Sequence, residues 1–202
     1  MRTLACLLYP DFELLDVYGP LEMYSMARKD IKVHMVAETS EPVVGRSGPR
    51  TAVDNVLSDD IQYDILLVPG GFGTEHVLDN KAILNWLRKQ SKTAELVTSV
   101  CTGSTLLSAA GLLDGRKATT NKMSWEWATS FGPDVHWQKQ ARWVWDDRFV
   151  TSSGVSAGMD MTLAVLAHLL GEETADKMAV AAEYEWHKDA ERDPFATIHG
   201  LV

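Results

Sequence analysis

The sequence predicts one α/β domain over residues 1–202, with a mostly parallel sheet and helices on both faces. Its predicted strands are near-continuous apolar runs, which is typical of strands buried on both sides. These runs alternate with segments of helical periodicity, the order that produces a parallel sheet covered by helices. No repeat, low-complexity stretch or linker divides the 202 residues, so a single domain is expected.

The elements follow in a regular order along the chain. Strands are predicted at 3–9, 31–38, 64–73 (running into a glycine-rich turn) and 95–100, with short strands between 135 and 153. Helices are predicted at 14–26, 82–90, 102–113, 125–131, 159–171 and 174–186. Gly19-Pro20 is expected to bend or restart the first helix, and the Pro- and Gly-containing stretch 39–59 predicts loops with a short hairpin.

The composition is that of a soluble globular chain, with 46% hydrophobic and 23% charged residues. No apolar run approaches the roughly 18 residues that span a bilayer, so no membrane partner is expected. The net charge of −9 gives no general attraction to nucleic acid, and a small molecule or another protein chain is the expected partner. Two cysteines are too few for a disulfide framework and residues 1–16 resemble a first strand rather than a signal peptide, which predicts a cytoplasmic location.

The most informative segment is the junction 99–104, Ser-Val-Cys-Thr-Gly-Ser. A buried strand is followed by a helix with almost no loop between them, and Cys101 stands at the junction. This pattern is typical of a nucleophile elbow, which holds its side chain at the carboxyl edge of the sheet. Gly103 leaves room for close packing of the helix, whose N-terminal dipole is expected to favour thiolate at Cys101.

The alternative to a functional role, for either cysteine, is a buried structural residue, because free cysteine is among the most buried residue types. Cys6 lies in the middle of an apolar strand and is interpreted in this way. For Cys101 the elbow pattern favours a functional role.

The turn 69–73, Pro-Gly-Gly-Phe-Gly, ends the strand that precedes the elbow strand. In a parallel sheet this turn is expected beside Cys101. The N–H groups of Gly70, Gly71 and Thr102 would there form an oxyanion hole, because glycine lets a backbone approach closely. A plain strand-ending turn is the alternative.

A base for the thiol is expected to be Asp16 rather than a histidine. Asp16 lies in an apolar stretch, where a lone carboxylate is costly unless it has a partner or a task. Burial would raise its pKa and allow it to exchange a proton with the thiol. A capping or loop role for Asp16 is an equally weighted alternative. Of the six histidines, only His76, just after the glycine turn, is a candidate base.

No metal or cofactor site is predicted. The sequence has no CxxC, HxxxH or HExxH motif, and the turn at 69–73 matches neither nucleotide-binding glycine pattern. Most of the seven tryptophans lie between Trp125 and Trp186, and packing in the core or an interface is favoured for them over a ligand pocket.

Several motifs together resemble the ThiJ/PfpI superfamily of class I glutamine-amidotransferase-like proteins. They are LLDVYGPLE, LLVPGGFG, the elbow region VTSVCTGSTLLSAAGLLDGRKATT, and SSGVSAGMDMTLAVLAHLLGEETA at 152–175. The resemblance covers nearly the whole chain and implies a flavodoxin-like three-layer sandwich with a cysteine nucleophile elbow. The chain looks most like the isonitrile hydratases, whose D-x-x-GP aspartate matches Asp16 and whose Cys-Thr-Gly elbow matches Cys101 to Gly103. Peptidase-like members place His where this chain has Thr102.

The resemblance implies that the Cys101 thiolate attacks the terminal carbon of an isonitrile and forms a thioimidate. Asp16 would supply the proton and later activate water. Thr102 with the backbone of Gly70 and Gly71 would orient the intermediate, and release would give an N-substituted formamide. No cofactor is needed, and a homodimer is expected.

One departure from the hydratases bears on the substrate. After Ala-Thr-Thr those proteins continue with His-Trp, whereas this chain has Asn121 and Lys122. Asn121 is expected at the pocket mouth, and Gly70, Gly71, Gly103 and Asn121 are the expected oxyanion and substrate-binding residues. Relatives with this fold also act as deglycases, glyoxalases, chaperones or redox sensors. A stress-response protein that senses through oxidation of Cys101, or a ligand-binding module, therefore stays an alternative.

Overall fold

A seven-stranded sheet lies at the centre of the computed structural model, which describes residues 1–202. The strands of the protein are β1 (Arg2–Leu7), β2 (Ile31–Ala37), β3 (Val43–Val44), β4 (Arg50–Thr51), β5 (Asn55–Val56), β6 (Ile65–Val68), β7 (Leu96–Ser99), β8 (Lys117–Ala118), β9 (His136–Trp137), β10 (Trp143–Asp146) and β11 (Phe149–Ser152). The spatial order in the central sheet is β10-β11-β7-β6-β1-β2-β5, and all neighbours are parallel except β10 and β11. The predicted mostly parallel sheet is thus confirmed.

Eight helices accompany the sheet: α1 (Leu14–Met26), α2 (Thr74–Val77), α3 (Lys81–Gln90), α4 (Gly103–Ala109), α5 (Trp125–Thr129), α6 (Ala157–Leu170), α7 (Glu172–Ala181) and α8 (Pro194–Ile198). Helices α1, α6 and α7 pack against one another, and α4 packs against α2, α3 and α5. None of them combines the length and the apolar character that a membrane crossing requires.

The strands at the middle of the sheet, β7, β6 and β1, are deeply buried. β6 and β7 are buried along their whole length, and β1 is buried over its last four residues. These strands are neighbours in the sheet, so their carboxyl ends meet at one edge. Cys6 lies within β1 and has no exposed surface, which confirms it as a core residue.

Several helix ends differ from the expected ones. α1 continues through Pro20 as one helix instead of restarting there, and its Gly19 lies closely against Met159 of α6. α4 ends at Ala109 rather than at 113, because Gly111 adopts a left-handed backbone with φ of 70°.

The last predicted helix is also too long. α7 ends at Ala181 rather than at 186, and Glu183 has a positive φ of 50°. Beyond it the chain turns toward α6, where the indole N–H of Trp186 donates to the carbonyl of Asp160. Tertiary hydrogen bonds therefore end a helix that local periodicity would extend.

The hairpin expected within 39–59 is present, since β3 pairs with β4 in antiparallel fashion. β9 lies among the short strands expected between 135 and 153, but its parallel partner β8 and the C-terminal helix α8 were not predicted. Elements as short as β8 and α8 carry little periodicity, which is why the sequence did not mark these two.

Candidate active site

Cys101 occupies a strained turn between β7 and α4, as the elbow pattern predicts. Its φ is +59°, a left-handed value that is costly for a residue with a side chain. Three hydrogen bonds hold this geometry. The Cys101 N–H donates to the Ser153 carbonyl at 3.0 Å, and the Cys101 carbonyl accepts from the hydroxyls of Ser104 and Thr120, both at 3.1 Å.

Gly103 permits the close approach of α4 to the sheet. A Cβ at this position would overlap the carbonyl oxygen of Val68 at the end of β6. The role expected for Gly103 in packing is therefore confirmed, and this explains why the elbow needs a glycine two residues after the cysteine.

The sulfur of Cys101 is surrounded by hydrogen-bond donors. Asn121 Nδ2 lies 3.1 Å from Sγ, and Asn121 Oδ1 accepts from the Ser124 N–H at 2.9 Å, which fixes the orientation of the amide. The backbone N–H groups of Thr102 and Val155 also lower the pKa of the Cys101 thiol, and both residues line the cleft above it. Asn121 thus lies beside the nucleophile rather than only at the pocket mouth.

Asp16 lies in the first turn of α1, close enough to Cys101 for each group to shift the pKa of the other. It has no exposed surface. Its Oδ2 accepts the Gly70 N–H at 2.8 Å, whereas its Oδ1 has no hydrogen-bond partner. Burial is the main cause that raises the pKa of Asp16 to about 7; the charge of Glu13 raises it further, and the Gly70 N–H and the Cys101 thiol act in the opposite direction.

The expectation of a resting thiolate at Cys101 is not supported. Burial, followed by the charge of Asp16, raises the pKa of the Cys101 thiol above its ordinary value. The N–H groups of Thr102 and Val155 and the Asn121 amide lower it, but by less. α4 has only seven residues, so its dipole is a small counterweight to desolvation. The direction of this pKa shift favours the thiol form of Cys101, which a base would have to activate.

The glycine turn lies beside the elbow, because β6 and β7 pair in parallel register. The N–H groups of Gly70 and Gly71, which were expected to form the oxyanion hole, donate to other groups of the protein. The Gly70 N–H is bonded to Asp16, and the Gly71 N–H donates to Thr102 Oγ1 at 3.0 Å. The donor hydrogen-bonded to the sulfur is instead the Asn121 amide, and the N–H groups of Thr102 and Val155 also lower the pKa of the thiol.

A cleft of about 210 Å³ opens above Cys101. An ion pair stands at its wall, where Arg46 Nη1 lies 2.6 Å from Glu13 Oε2 and the guanidinium stacks 4.5 Å from the centre of the Phe72 ring. Besides Cys101, the lining comprises Glu13, Arg46, Gly71, Phe72, Glu75, Thr102, Asn121, Met123, Ser124, Trp127 and Val155. No histidine belongs to it; the side chain of His76 is exposed outside the cleft.

The segment after Ala118 divides between the cleft and the interior. Asn121 and Met123 line the cleft, whereas Lys122 points away and is buried. The Lys122 ammonium donates to Thr119 Oγ1 at 2.5 Å and to the Ala141 carbonyl at 2.8 Å. Burial lowers the pKa of Lys122 to about 8.

Sequence reasoning missed several lining residues. Arg46 comes from the β3–β4 hairpin and Trp127 from α5, and nothing local marks either as part of a site. Val155 had a signal, since it lies in the Gly-Val-Ser-Ala-Gly segment of the resemblance; its φ of 46° is a second strained backbone beside the sulfur. Trp125, by contrast, packs edge-on against Trp137, as favoured for the tryptophans.

The fold and the elbow define a class of α/β proteins with a cysteine at the carboxyl edge of a parallel sheet. Residues 2–168 match the model of the DJ-1/PfpI family, so the chain belongs to this family and has its flavodoxin-like fold. The resemblance found in the sequence is confirmed.

Individual relatives differ in what they do. The chain is 33% identical to an isonitrile hydratase of Pseudomonas putida over 178 residues, covering 88% of this chain and 76% of the relative. It is 27% identical to the HTH-type transcriptional regulator CdhR of Pseudomonas aeruginosa, covering 96% of this chain but 60% of the regulator. The crystal structure of a ThiJ/PfpI family protein from Pseudomonas syringae matches with a TM-score of 0.84 and 30% identity, covering 91% of this chain and 75% of that one.

Proposed function

We propose that this protein is a cysteine-dependent hydratase that converts a small isonitrile to an N-substituted formamide, with Cys101 as nucleophile and Asp16 as its base. The observation that carries the proposal is the buried pair of a strained thiol and a carboxyl group whose pKa is about 7. Such a carboxylate can take a proton near neutral pH and return it, which is what general acid–base catalysis requires. The similarity to an isonitrile hydratase supports the choice of substrate.

In the first step, the S–H proton of Cys101 passes to the Asp16 carboxylate while sulfur bonds to the terminal carbon of R–N≡C. The proton then moves from Asp16 to that carbon, which gives the thioimidate R–N=CH–S–Cys101. Asn121 Nδ2, 3.1 Å from Sγ, supplies a hydrogen bond to sulfur as its charge develops.

In the second step, water adds across the C=N bond. Asp16 takes a proton from the water as the oxygen bonds to carbon and passes it to the nitrogen. Cleavage of the C–S bond then moves the remaining hydroxyl proton of the adduct to sulfur and releases R–NH–CHO. No cofactor enters this balance, because no electrons are exchanged with a third molecule.

The cleft limits the substituent R to a small group. Its volume of about 210 Å³ and the side chains of Phe72, Met123 and Trp127 suit a compact apolar substituent. Arg46 compensates the charge of Glu13, and the remaining carboxylate of the lining, Glu75, disfavours an anionic substituent.

A second candidate function is redox sensing through Cys101. It is favoured by the three donors around the sulfur, those of Asn121, Thr102 and Val155, since sulfinate oxygens need such donors. The open cleft above the sulfur favours the enzyme, because oxidation by a small oxidant needs no substrate pocket of this size.

The experiment is turnover of cyclohexyl isocyanide, with formamide production followed for the wild type and the variants Cys101→Ala, Asp16→Asn and Cys6→Ala. Formamide from wild type and Cys6→Ala, and none from the other two, is expected. If the wild type makes no formamide while Cys101 still reacts with a thiol probe, the hydratase proposal is wrong and the redox function gains weight.

We also propose a homodimer. α1 leaves Leu15 and Tyr18 exposed, and Val44 of the neighbouring hairpin is exposed as well. Apolar side chains grouped near a site are typical of an interface. Sedimentation equilibrium of the purified chain tests this, and a monomer at micromolar concentration would contradict it.

A further inference from the structure

A chain of three buried hydroxyl groups leads from the elbow into the protein. Thr102 Oγ1 lies 2.9 Å from Thr74 Oγ1, which lies 3.1 Å from the hydroxyl of Tyr9. The Tyr9 hydroxyl in turn donates to the Pro69 carbonyl at 2.6 Å. Only Thr102 reaches the cleft; Thr74 and Tyr9 have 0% and 2% exposed surface.

The direction of every hydrogen bond in this chain follows from counting hydrogens. Tyr9 has one hydroxyl hydrogen, which a carbonyl oxygen can only accept, so Tyr9 accepts from Thr74. Thr74 has then given its own hydrogen away and accepts from Thr102. Thr102 Oγ1 therefore uses its lone pair to accept the Gly71 N–H at 3.0 Å. The Thr102 hydroxyl hydrogen points at Thr74 and not into the cleft.

The two ends of this series of hydroxyl groups, Tyr9 and Thr102, both hydrogen-bond to the turn 69–71. Tyr9 holds the Pro69 carbonyl, and Thr102 holds the Gly71 N–H. Gly70 lies between these two points, and its N–H donates to Asp16 Oδ2 at 2.8 Å. The fit is tight, since a Cβ on Gly70 would lie 2.5 Å from Thr102 Oγ1 and 3.0 Å from Asp16 Oδ2.

We propose that Tyr9 and Thr74, which touch no substrate, are positioning residues that clamp the turn 69–71 and so hold the Gly70 N–H on the carboxylate of Asp16. This deepens the proposed function and rests on it only through the assignment of Asp16 as the proton acceptor of Cys101. Thr102 belongs to the same clamp and acts through Gly71, not as a donor to the intermediate.

The clamp has a consequence for the titration of the site. The Gly70 N–H opposes the rise in the pKa of Asp16 that burial causes, so loosening the turn raises this pKa above about 7. The other groups that face Asp16 are Glu13, whose charge raises its pKa, the Cys101 thiol, and Tyr9. Burial raises the pKa of Tyr9 well above its ordinary value, so it stays a neutral donor throughout.

The test is the pH profile of alkylation of Cys101 by iodoacetamide, quantified by mass spectrometry of the Cys101 peptide, which needs no substrate. In the wild type the rate rises near pH 7, as the first proton leaves the Cys101–Asp16 pair, and Asp16→Asn removes this step. In Tyr9→Phe and Thr74→Val the step moves upward by about 0.5–1 pH unit, because the carboxylate loses part of its hydrogen bond.

Two matched variants separate positioning from stability. Tyr24→Phe removes a buried tyrosine hydroxyl that has no hydrogen-bond partner, and Thr74→Ser keeps the hydroxyl; both retain the wild-type step. A step that stays in place in Tyr9→Phe and Thr74→Val, or a wild type without an Asp16-dependent step, overturns the proposal. Failure of the proposed function is a separate outcome, because it appears as absent formamide with the alkylation profile unchanged.

Discussion

Two fully buried aspartates, Asp16 and Asp160, have opposite surroundings. Asp160, in α6, has both carboxylate oxygens bonded: Oδ2 accepts from Arg142 Nε at 2.7 Å, and Oδ1 accepts from the Tyr184 hydroxyl and the His187 N–H, each at 2.9 Å. Asp16, in α1, has one hydrogen bond at Oδ2 and none at Oδ1.

The difference separates a structural carboxylate from a reactive one. Asp160 and Arg142 connect α6 to the C-terminal segment, in which Asp193 lies 3.7 Å from Arg142 and caps α8. A charge bonded in this way has no capacity left for chemistry. Asp16 keeps an unpaired oxygen beside a thiol, an arrangement that costs stability and gains reactivity.

The largest effect is expected on removing the charge of the structural aspartate, Asp160. Asp160→Asn leaves the buried Arg142 guanidinium with only the distant Asp193 as counter-charge, so the free energy of unfolding should fall by about 3–5 kcal/mol. Urea denaturation followed by tryptophan fluorescence measures it. A loss under about 1 kcal/mol would mean that the cluster of Asp160, Arg142 and Asp193 does not stabilise the fold.

At the reactive aspartate, Asp16, removing the charge should raise the free energy of unfolding rather than lower it. The folded-state pKa of Asp16, about 7, lies above its ordinary 3.8, so the folded protein holds this proton more tightly than the unfolded chain. The stability this provides is present below about pH 4 and is lost as the pH rises through 7.

Asp16→Asn has no proton to lose, and its stability should therefore exceed that of the wild type increasingly between these pH values. The gap should level off above pH 7 at a value on the order of 4 kcal/mol. Thermal melts of both proteins over this range test the sign. Equal pH dependence in the two proteins would contradict the raised pKa.

The smallest effect is expected on removing the hydrogen bond that Asn121 donates to the Cys101 sulfur. Asn121→Ala removes one hydrogen bond to Sγ and leaves the Cys101–Asp16 pair in place. Formamide turnover, kcat/KM, should fall about tenfold, the worth of one such bond in a transition state. Asn121→Asp is the informative companion, because a second carboxylate beside the thiol should slow turnover more than alanine does.

Much of the fold and of the candidate active site could be predicted from the sequence, because the decisive signals are local. Apolar runs alternating with helical segments predicted the parallel sheet, and the Ser-Val-Cys-Thr-Gly junction predicted the elbow at Cys101. Asp16 stood out as a carboxylate in an apolar stretch. Each conclusion rests on residues within a few positions of one another.

What only the tertiary structure decided depends on residues far apart in the chain. The protonation state of Cys101 follows from burial and from Asp16, 85 positions away, and the partners of the Gly70 and Gly71 N–H groups follow from how α1 and the elbow meet at the sheet edge. Whether a buried aspartate is reactive or structural, as with Asp16 and Asp160, also emerges only there. Desolvation and hydrogen bonding act through space, and a sequence pattern records only the neighbours along the chain.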